Sequence, residues 1–274
     1  MDNKKVCVCI EGELRGAKRC GENIRKYLID HLNADLFLCI QNYKYYDEND
    51  LKYYGDYKEF MIYSNPEPNF KNIFNDLCKI YNFEENKWQP TFTLPNDNFK
   101  LGYDKPGTCI RRMYNRYLIY HMLKKYNYDW FIILRSDLYF VDYFYDINYF
   151  NTGELALAKV ANWGGLNNNL IIFDKSIIDN ILLYITNFLN LSFFNHIKQS
   201  KKKKINEEIF FMNNMIINNV KTRLIDHMWY ISADSPTAYT TWNKIKVAPN
   251  GDIYKYEQDY KTVKKLSSDI VHKL

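Results

Sequence analysis

One short run, Trp130-Phe131-Ile132-Ile133-Leu134, sets what the middle of this chain can become. It is built of aromatic and branched residues and holds no Gly or Pro. Such a run reads as a strand covered on both faces, of the kind found in parallel or mixed sheets. It ends abruptly in Arg135 and Asp137, which would be costly inside a core. They are better accommodated at the carboxyl edge of a sheet, where open α/β sheets bind their ligands. A carboxylate placed there can hold a divalent cation, and the cation can hold a phosphate.

The flanking patterns fit that reading. Lys5 to Ile10 reads as a first strand, Arg15 to Leu32 as a helix, and Asp35 to Ile40 as a second strand. In the helix, Ala17, Cys20, Ile24, Tyr27 and Leu28 are spaced for one buried face. A β-α-β start with a crossover of this length implies a parallel pair. Gln41 to Phe60 is polar and Tyr-rich and reads as a surface loop. Phe70 to Tyr81 reads as a helix. Asn82 to Pro106 carries Pro90, Pro95, Pro106 and Gly102 and looks irregular, a length often functional in a compact domain. A helix is expected over Thr108 to Lys125, and strands over Glu154 to Lys159 and Leu170 to Phe173. Asp174 suits the N-cap of a helix from Lys175 to Leu191. A helix from Asn206 to Ile217 and a strand over Thr222 to Ile225 complete the core, and the tail from Pro249 reads as a surface wrap.

With 274 residues, 47% hydrophobic, the chain can bury a sizeable core as one large domain: a core over about 5–232 and an extension over 233–274. A net charge of +5 suits phosphate-bearing ligands and falls short of a dedicated nucleic-acid binder. Val6 to Ile10 is too short for the core of a signal peptide, and no run approaches the ~20 apolar residues of a membrane span. A cytoplasmic protein is the expectation. Cys7, Cys9, Cys20, Cys39, Cys78 and Cys109 form no CxxC pair or Cys/His cluster and read as buried free thiols.

Four strings occur in a telling order: Cys9 to Gly16 (Cys-Ile-Glu-Gly-Glu-Leu-Arg-Gly), Ala34-Asp35-Leu36-Phe37, Ile133 to Phe140 (Ile-Leu-Arg-Ser-Asp-Leu-Tyr-Phe), and Trp163 to Asn168 (Trp-Gly-Gly-Leu-Asn-Asn). Together they resemble GT-A type nucleotide-sugar glycosyltransferases of a family found in large DNA viruses and bacterial polysaccharide clusters. The likeness covers roughly Val6 to Ile225. It implies a GT-A, Rossmann-like α/β domain with a mixed, mostly parallel central sheet flanked by helices. It also implies transfer of a hexosyl or deoxyhexosyl group from a nucleotide-sugar donor, UDP-linked by preference, to a glycan or glycoprotein acceptor. Mn²⁺ or Mg²⁺ would assist, the outcome would be inverting, and a viral member would work in the host cytoplasm. Two positions depart from the pattern. Arg135 stands where many such enzymes carry a second carboxylate beside Asp137, and Asn168 stands where Asp is frequent.

Sugar transfer builds negative charge on a leaving phosphate, so positive charge must meet it. A cation held by Asp137 would supply that, with Arg135 and Ser136 beside it; a structural Arg/Asp pair is the plainer alternative. Gly12, Glu13 and Arg15 fall in the first β-to-α turn, where glycine lets a ligand approach, helix-start N–H groups favour phosphate, and Arg15 offers a fork of donors. Trp163, Gly164, Gly165, Asn167 and Asn168 combine a stacking face, close approach and amide groups for hydroxyls. The alternative there is a Gly-Gly turn. Glu208 or Glu207, at a helix start, could take the acceptor's proton, although acidic residues are favoured there for the helix dipole alone. His227 and His272 are candidate further metal ligands. Arg111, Arg112 and Arg116 lie on a helix and could line a donor site, with a solvated face the favoured reading.

Two other readings compete. One is a nucleic-acid-binding module using Lys201 to Lys204 and exposed tyrosines. The other is a relic of the fold that binds nucleotide or glycan without catalysis.

Overall fold

The computed structural model describes residues 4–42, 46–63, 100–101, 107–159, 165–185, 204–205, 207–235 and 245–271; of these, 100–101, 107–111, 204–205, 207 and 266–271 are described by their backbone alone. In chain order the elements are β1 (Val6–Gly12), α1 (Ala17–Ile24), β2 (Asp35–Gln41), β3 (Glu59–Tyr63), β4 (Lys100–Leu101), α2 (Gly107–Leu123), β5 (Trp130–Arg135), β6 (Leu138–Phe140), β7 (Glu154–Ala158), β8 (Leu170–Asp174), α3 (Ile178–Leu182), β9 (Lys204–Ile205), α4 (Glu207–Ile217), β10 (Lys221–Ile225), β11 (Trp229–Ile231), β12 (Lys246–Val247), β13 (Ile253–Tyr254) and α5 (Glu257–Val271).

Seven strands form the central sheet in the order β10-β7-β8-β5-β1-β2-β3. β8 runs antiparallel to both its neighbours, and every other adjacent pair is parallel. The two-residue period of a strand explains the unbroken apolar runs. Cys7, Cys9, Phe131 and Ile133 point to one face, where Met113, Leu118 and Ile119 of α2 and Phe210, Phe211 and Met215 of α4 cover them. Val6, Val8, Ile10, Ile132 and Leu134 point to the other, under Ala17, Cys20 and Ile24 of α1 and the aromatic group Phe140, Phe144 and Trp229. Cys7, Cys9, Cys20 and Cys39 are buried free thiols, as expected. The result is the mixed, mostly parallel, helix-flanked α/β architecture expected.

From β1 the chain builds outward through β2 and β3 on one side, then returns to β5 on the other. The strand order reverses between β1 and β5, and the carboxyl ends at such a reversal are where open α/β sheets place their ligand-binding crevice. β1 and β5 are in register through Glu11 opposite Arg135.

The expected strands over β1, β2, β5, β7, β8 and β10 fall within two residues of those observed. Other expectations need correction. The loop over Gln41 to Phe60 holds a 3-10 turn (Glu48–Tyr54) and the start of β3, which pairs with β2. The helix from Arg15 starts at Ala17, because Gly16 caps it in left-handed backbone (φ 70°), and it passes into a π-helical turn over Arg25–Ile29. Asp174 does cap, accepting from Ser176 N–H, but the helix begins as a 3-10 turn and α3 ends at Leu182. The tail does more than wrap: Ser232 Oγ donates to Ile253 O at 2.6 Å and Lys255 N–H to Ile231 O at 2.9 Å, seating β13 and the start of α5 on β11. The helix over Phe70 to Tyr81 and most of the irregular stretch lie outside the described residues. Among the described residues no helix is long and apolar enough to cross a membrane.

Candidate active site

Glu11, Gly12, Glu13 and Arg15 leave the carboxyl end of β1. Gly12 has φ 91°, a backbone that L side chains rarely adopt, and the space beside it is open. Arg15 grips Glu13, with Nε and Nη2 both 2.7 Å from Oε2. Ser136 stitches this turn to the end of β5. Its Oγ lies 2.5 Å from Glu13 O and 3.0 Å from Arg15 O, and accepts from Arg15 N–H at 3.1 Å. The Ser136 hydroxyl is thus engaged with backbone. Gly16 packs close to Asp137, and a Cβ there would sit 3.4 Å from the Asp137 Cβ. The start of α1 is filled from within the chain, since Arg19 N–H donates to Asp234 at 3.0 Å. That N–H group is therefore not offered to a phosphate.

Arg135 and Asp137 form a bidentate fork, Nε to Oδ1 at 2.8 Å and Nη2 to Oδ2 at 2.6 Å, with Asp137 only 2% exposed. Both carboxylate oxygens therefore face a guanidinium. This bears on the Mn²⁺ or Mg²⁺ that the sequence resemblance implies. Among the described residues no three His, Cys, Asp or Glu side chains gather to hold a metal ion. A cation at Asp137 would also meet the charges of Arg135, Arg15 and Lys255. The described residues do not fit a divalent metal.

Arg112 and Arg116 of α2 are not a solvated face, and the side chain of Arg111 lies outside the described residues. Arg116 is 0% exposed and pairs with Glu11 at 3.2 Å, while its Nη2 also donates to Asn168 O at 2.9 Å. Its guanidinium lies over the Phe211 ring. Arg112 donates to Asn168 Oδ1 and to Asn169 Oδ1, and stands 3.6 Å from Glu11. Asn169 also accepts from Arg135 at 3.3 Å, so it joins α2 to the end of β5. Asn167 is buried and accepts from Asn169 N–H, holding the loop in shape. A continuous polar network thus runs from Asp137 through Arg135, Asn169 and Arg112 to Glu11 and Arg116. Sequence reading missed Glu11, Asn169 and the two arginines as one unit. The available signal was Arg116 lying three residues from both Met113 and Ile119, on the buried stripe.

Gly165 is needed for packing. A Cβ there would lie 2.1 Å from the Glu208 backbone, and Leu166 N–H donates to Glu208 O at 3.0 Å. The loop before β8 is thereby fastened to the start of α4. Lys255, which the sequence did not flag, arrives from the tail. Burial, then Arg135, pull its pKa down to about 7, with Arg15 adding to the effect and Asp137 and Glu208 opposing it. Lys255, Arg135, Arg15, Asp137 and Glu208 therefore share one electrostatic environment.

Not every candidate joins this group. Trp163, Gly164 and His272 lie outside the described residues, as do Lys201 to Lys203 and the side chain of Glu207. His227 is buried near Trp229, and burial lowers its pKa to about 4. Ile231 lies opposite Leu138, and Ser232 N–H donates to Asp137 O. His227 lies beyond Trp229, which pairs with Phe140 at the far end of this ladder from Asp137. The structure does not bring His227 to Asp137.

No family model matches the chain, and no curated protein does. Among solved structures it is similar to mouse xyloside xylosyltransferase 1 in its apo form, at 9% identity over 81% of this chain and 85% of that one, with a TM-score of 0.45. It is also similar to a glycosyltransferase involved in glycosylation of the major capsid of PBCV-1, at 10% identity over 81% of this chain and 82% of that one, with a TM-score of 0.38.

Proposed function

We propose that this chain transfers a sugar from a nucleotide-sugar donor to a hydroxyl of a glycan or glycoprotein. The observation that carries the reading is the crevice between β1 and β5, where Arg15 and Arg135 stand with Asp137 at the reversal of strand order and Glu208 shares their field. A nucleoside diphosphate suits such a site: its phosphates need cations at a sheet's carboxyl edge, and open backbone at Gly12 admits them. The motif resemblance favours a UDP-linked hexose or deoxyhexose.

In the inverting route, the acceptor hydroxyl gives its proton to Glu208 and its oxygen attacks the anomeric carbon. The bond from that carbon to the phosphate oxygen breaks, and the nucleoside diphosphate leaves with the electron pair. The arginines meet the charge that builds on it. No step is assigned to a divalent cation.

The test is slow donor hydrolysis by the full chain, in buffer containing Mn²⁺, over a panel of UDP- and GDP-sugars, followed as free nucleotide. Release from one donor, falling about 100-fold in Glu208→Gln with nucleotide binding retained, is the expected result. Absence of both release and nucleotide binding would refute the reading.

A further inference from the structure

We propose that the leaving diphosphate is held and neutralised by Arg135, Arg15 and Lys255, with no divalent cation between protein and donor; this rests on the transferase reading above. The departure from the expected metal motif is the starting point. The only carboxylate of Arg135-Ser136-Asp137 spends both oxygens on the neighbouring guanidinium. A carboxylate neutralised in this way is a poor ligand for Mn²⁺, and the nearby cations repel one. The same fork fixes the plane of a guanidinium, the geometry that recognises phosphate. Asp137 then acts as a positioning residue for Arg135.

Lys255 is brought in by the tail. β13 is seated on β11 through Ser232 and Ile231, and Ser232 N–H donates to Asp137 O. Arg15, Arg112, Arg116, Arg135 and Lys255 stand among Glu11, Glu13, Asp137, Glu208 and Asp259, so the charges balance when Lys255 is protonated and no cation is needed to neutralise the carboxylates. Burial is the first cause of the depressed pKa of Lys255 and the Arg135 guanidinium the second. An entering diphosphate adds negative charge beside both groups and favours the protonated form of Lys255.

Calorimetric titration of UDP, and separately GDP, into the full chain tests this, in excess EDTA and in Mn²⁺. The expected result is binding of one nucleotide with affinities within about threefold in the two buffers, weakened about tenfold or more in Lys255→Met and Arg135→Met. Arg135→Met leaves Asp137 buried and unpaired, so thermal unfolding must accompany it, and Lys255→Met carries the test if that variant does not fold. Binding only in Mn²⁺ would overturn the inference and leave the transferase reading standing. Unchanged binding by Lys255→Met in EDTA would overturn it as well. No binding of either nucleotide in either buffer would sink the transferase reading and this inference with it.

Discussion

The two edges of the central sheet carry similar charged residues in opposite surroundings. At the amino edge, Asp129 pairs with Lys175 at 3.2 Å, Asp35 with Lys58 at 2.8 Å and Glu59 with Lys125 at 2.7 Å, with side chains 25–58% exposed. At the carboxyl ends of the central strands β1 and β5, Glu11 with Arg116 and Asp137 with Arg135 are 0–19% exposed, whereas Lys159 with Asp226, further along that edge beyond β7 and β10, is as exposed as the amino-edge pairs. Exposed pairs contribute about 0–1 kcal/mol each and demand little. Buried pairs carry a desolvation penalty of several kcal/mol per ion, which well-packed apolar residues would avoid. Stability alone explains the amino edge. The carboxyl edge, where strand order also reverses, holds charges that a fold needing only a core would leave out.

The comparison can be broken by removing single partners. Arg116→Ala should have the largest effect, about 3 kcal/mol, because buried Glu11 then keeps only the longer contacts to Arg112 at 3.6 Å and Asn115 at 3.4 Å; equilibrium denaturation of the full chain measures it. A loss under 1 kcal/mol would mean that water reaches Glu11 and that the two edges do not differ.

His227, two residues beyond the end of β10, sharpens the point that burial sets the energetic cost. Its folded pKa of about 4 lies below the ordinary 6.5, so the unfolded chain takes up the proton first. Stability should therefore fall as pH drops from about 6.5 to about 4, by up to about 3 kcal/mol, and His227→Leu should flatten that window. An unchanged acid profile in the variant would contradict this.

Gly165→Ala should cost about 1–3 kcal/mol, since the backbone at Glu208 must move, and should slow turnover beyond what the lost stability explains. Normal turnover would detach Glu208 from the reaction. The smallest effect belongs to the amino edge: Lys175→Ala should shift stability by at most about 0.5 kcal/mol and leave nucleotide binding unchanged.

The strands of the middle of the sheet were legible because covering both faces forces continuous apolar runs, as in Val6 to Ile10 and Trp130 to Leu134. β3 was not, because an edge strand is half-buried and its run, Phe60 to Tyr63, is short and follows a polar, Tyr-rich stretch. The two turns that frame the crevice could be found from glycine and arginine at strand ends. Burial of Arg112 and Arg116 could not, since a helix pattern counts arginine as solvent-facing, and the carboxylate of Glu11 and the carbonyl of Asn168, both distant in sequence, make burial of Arg116 tolerable. Lys255 was illegible for a similar reason: its place depends on the tail pairing with β11, a contact without a local signature.

The central claim is that the crevice between β1 and β5 is the donor site. Amide hydrogen exchange of the full chain with and without saturating nucleotide, UDP or GDP according to which binds, tests it most directly. The account predicts added protection over residues 12–16, 135–137 and 253–256 and none around 58–60 or 128–130. Protection at the amino edge, or nowhere in the first set, would contradict it.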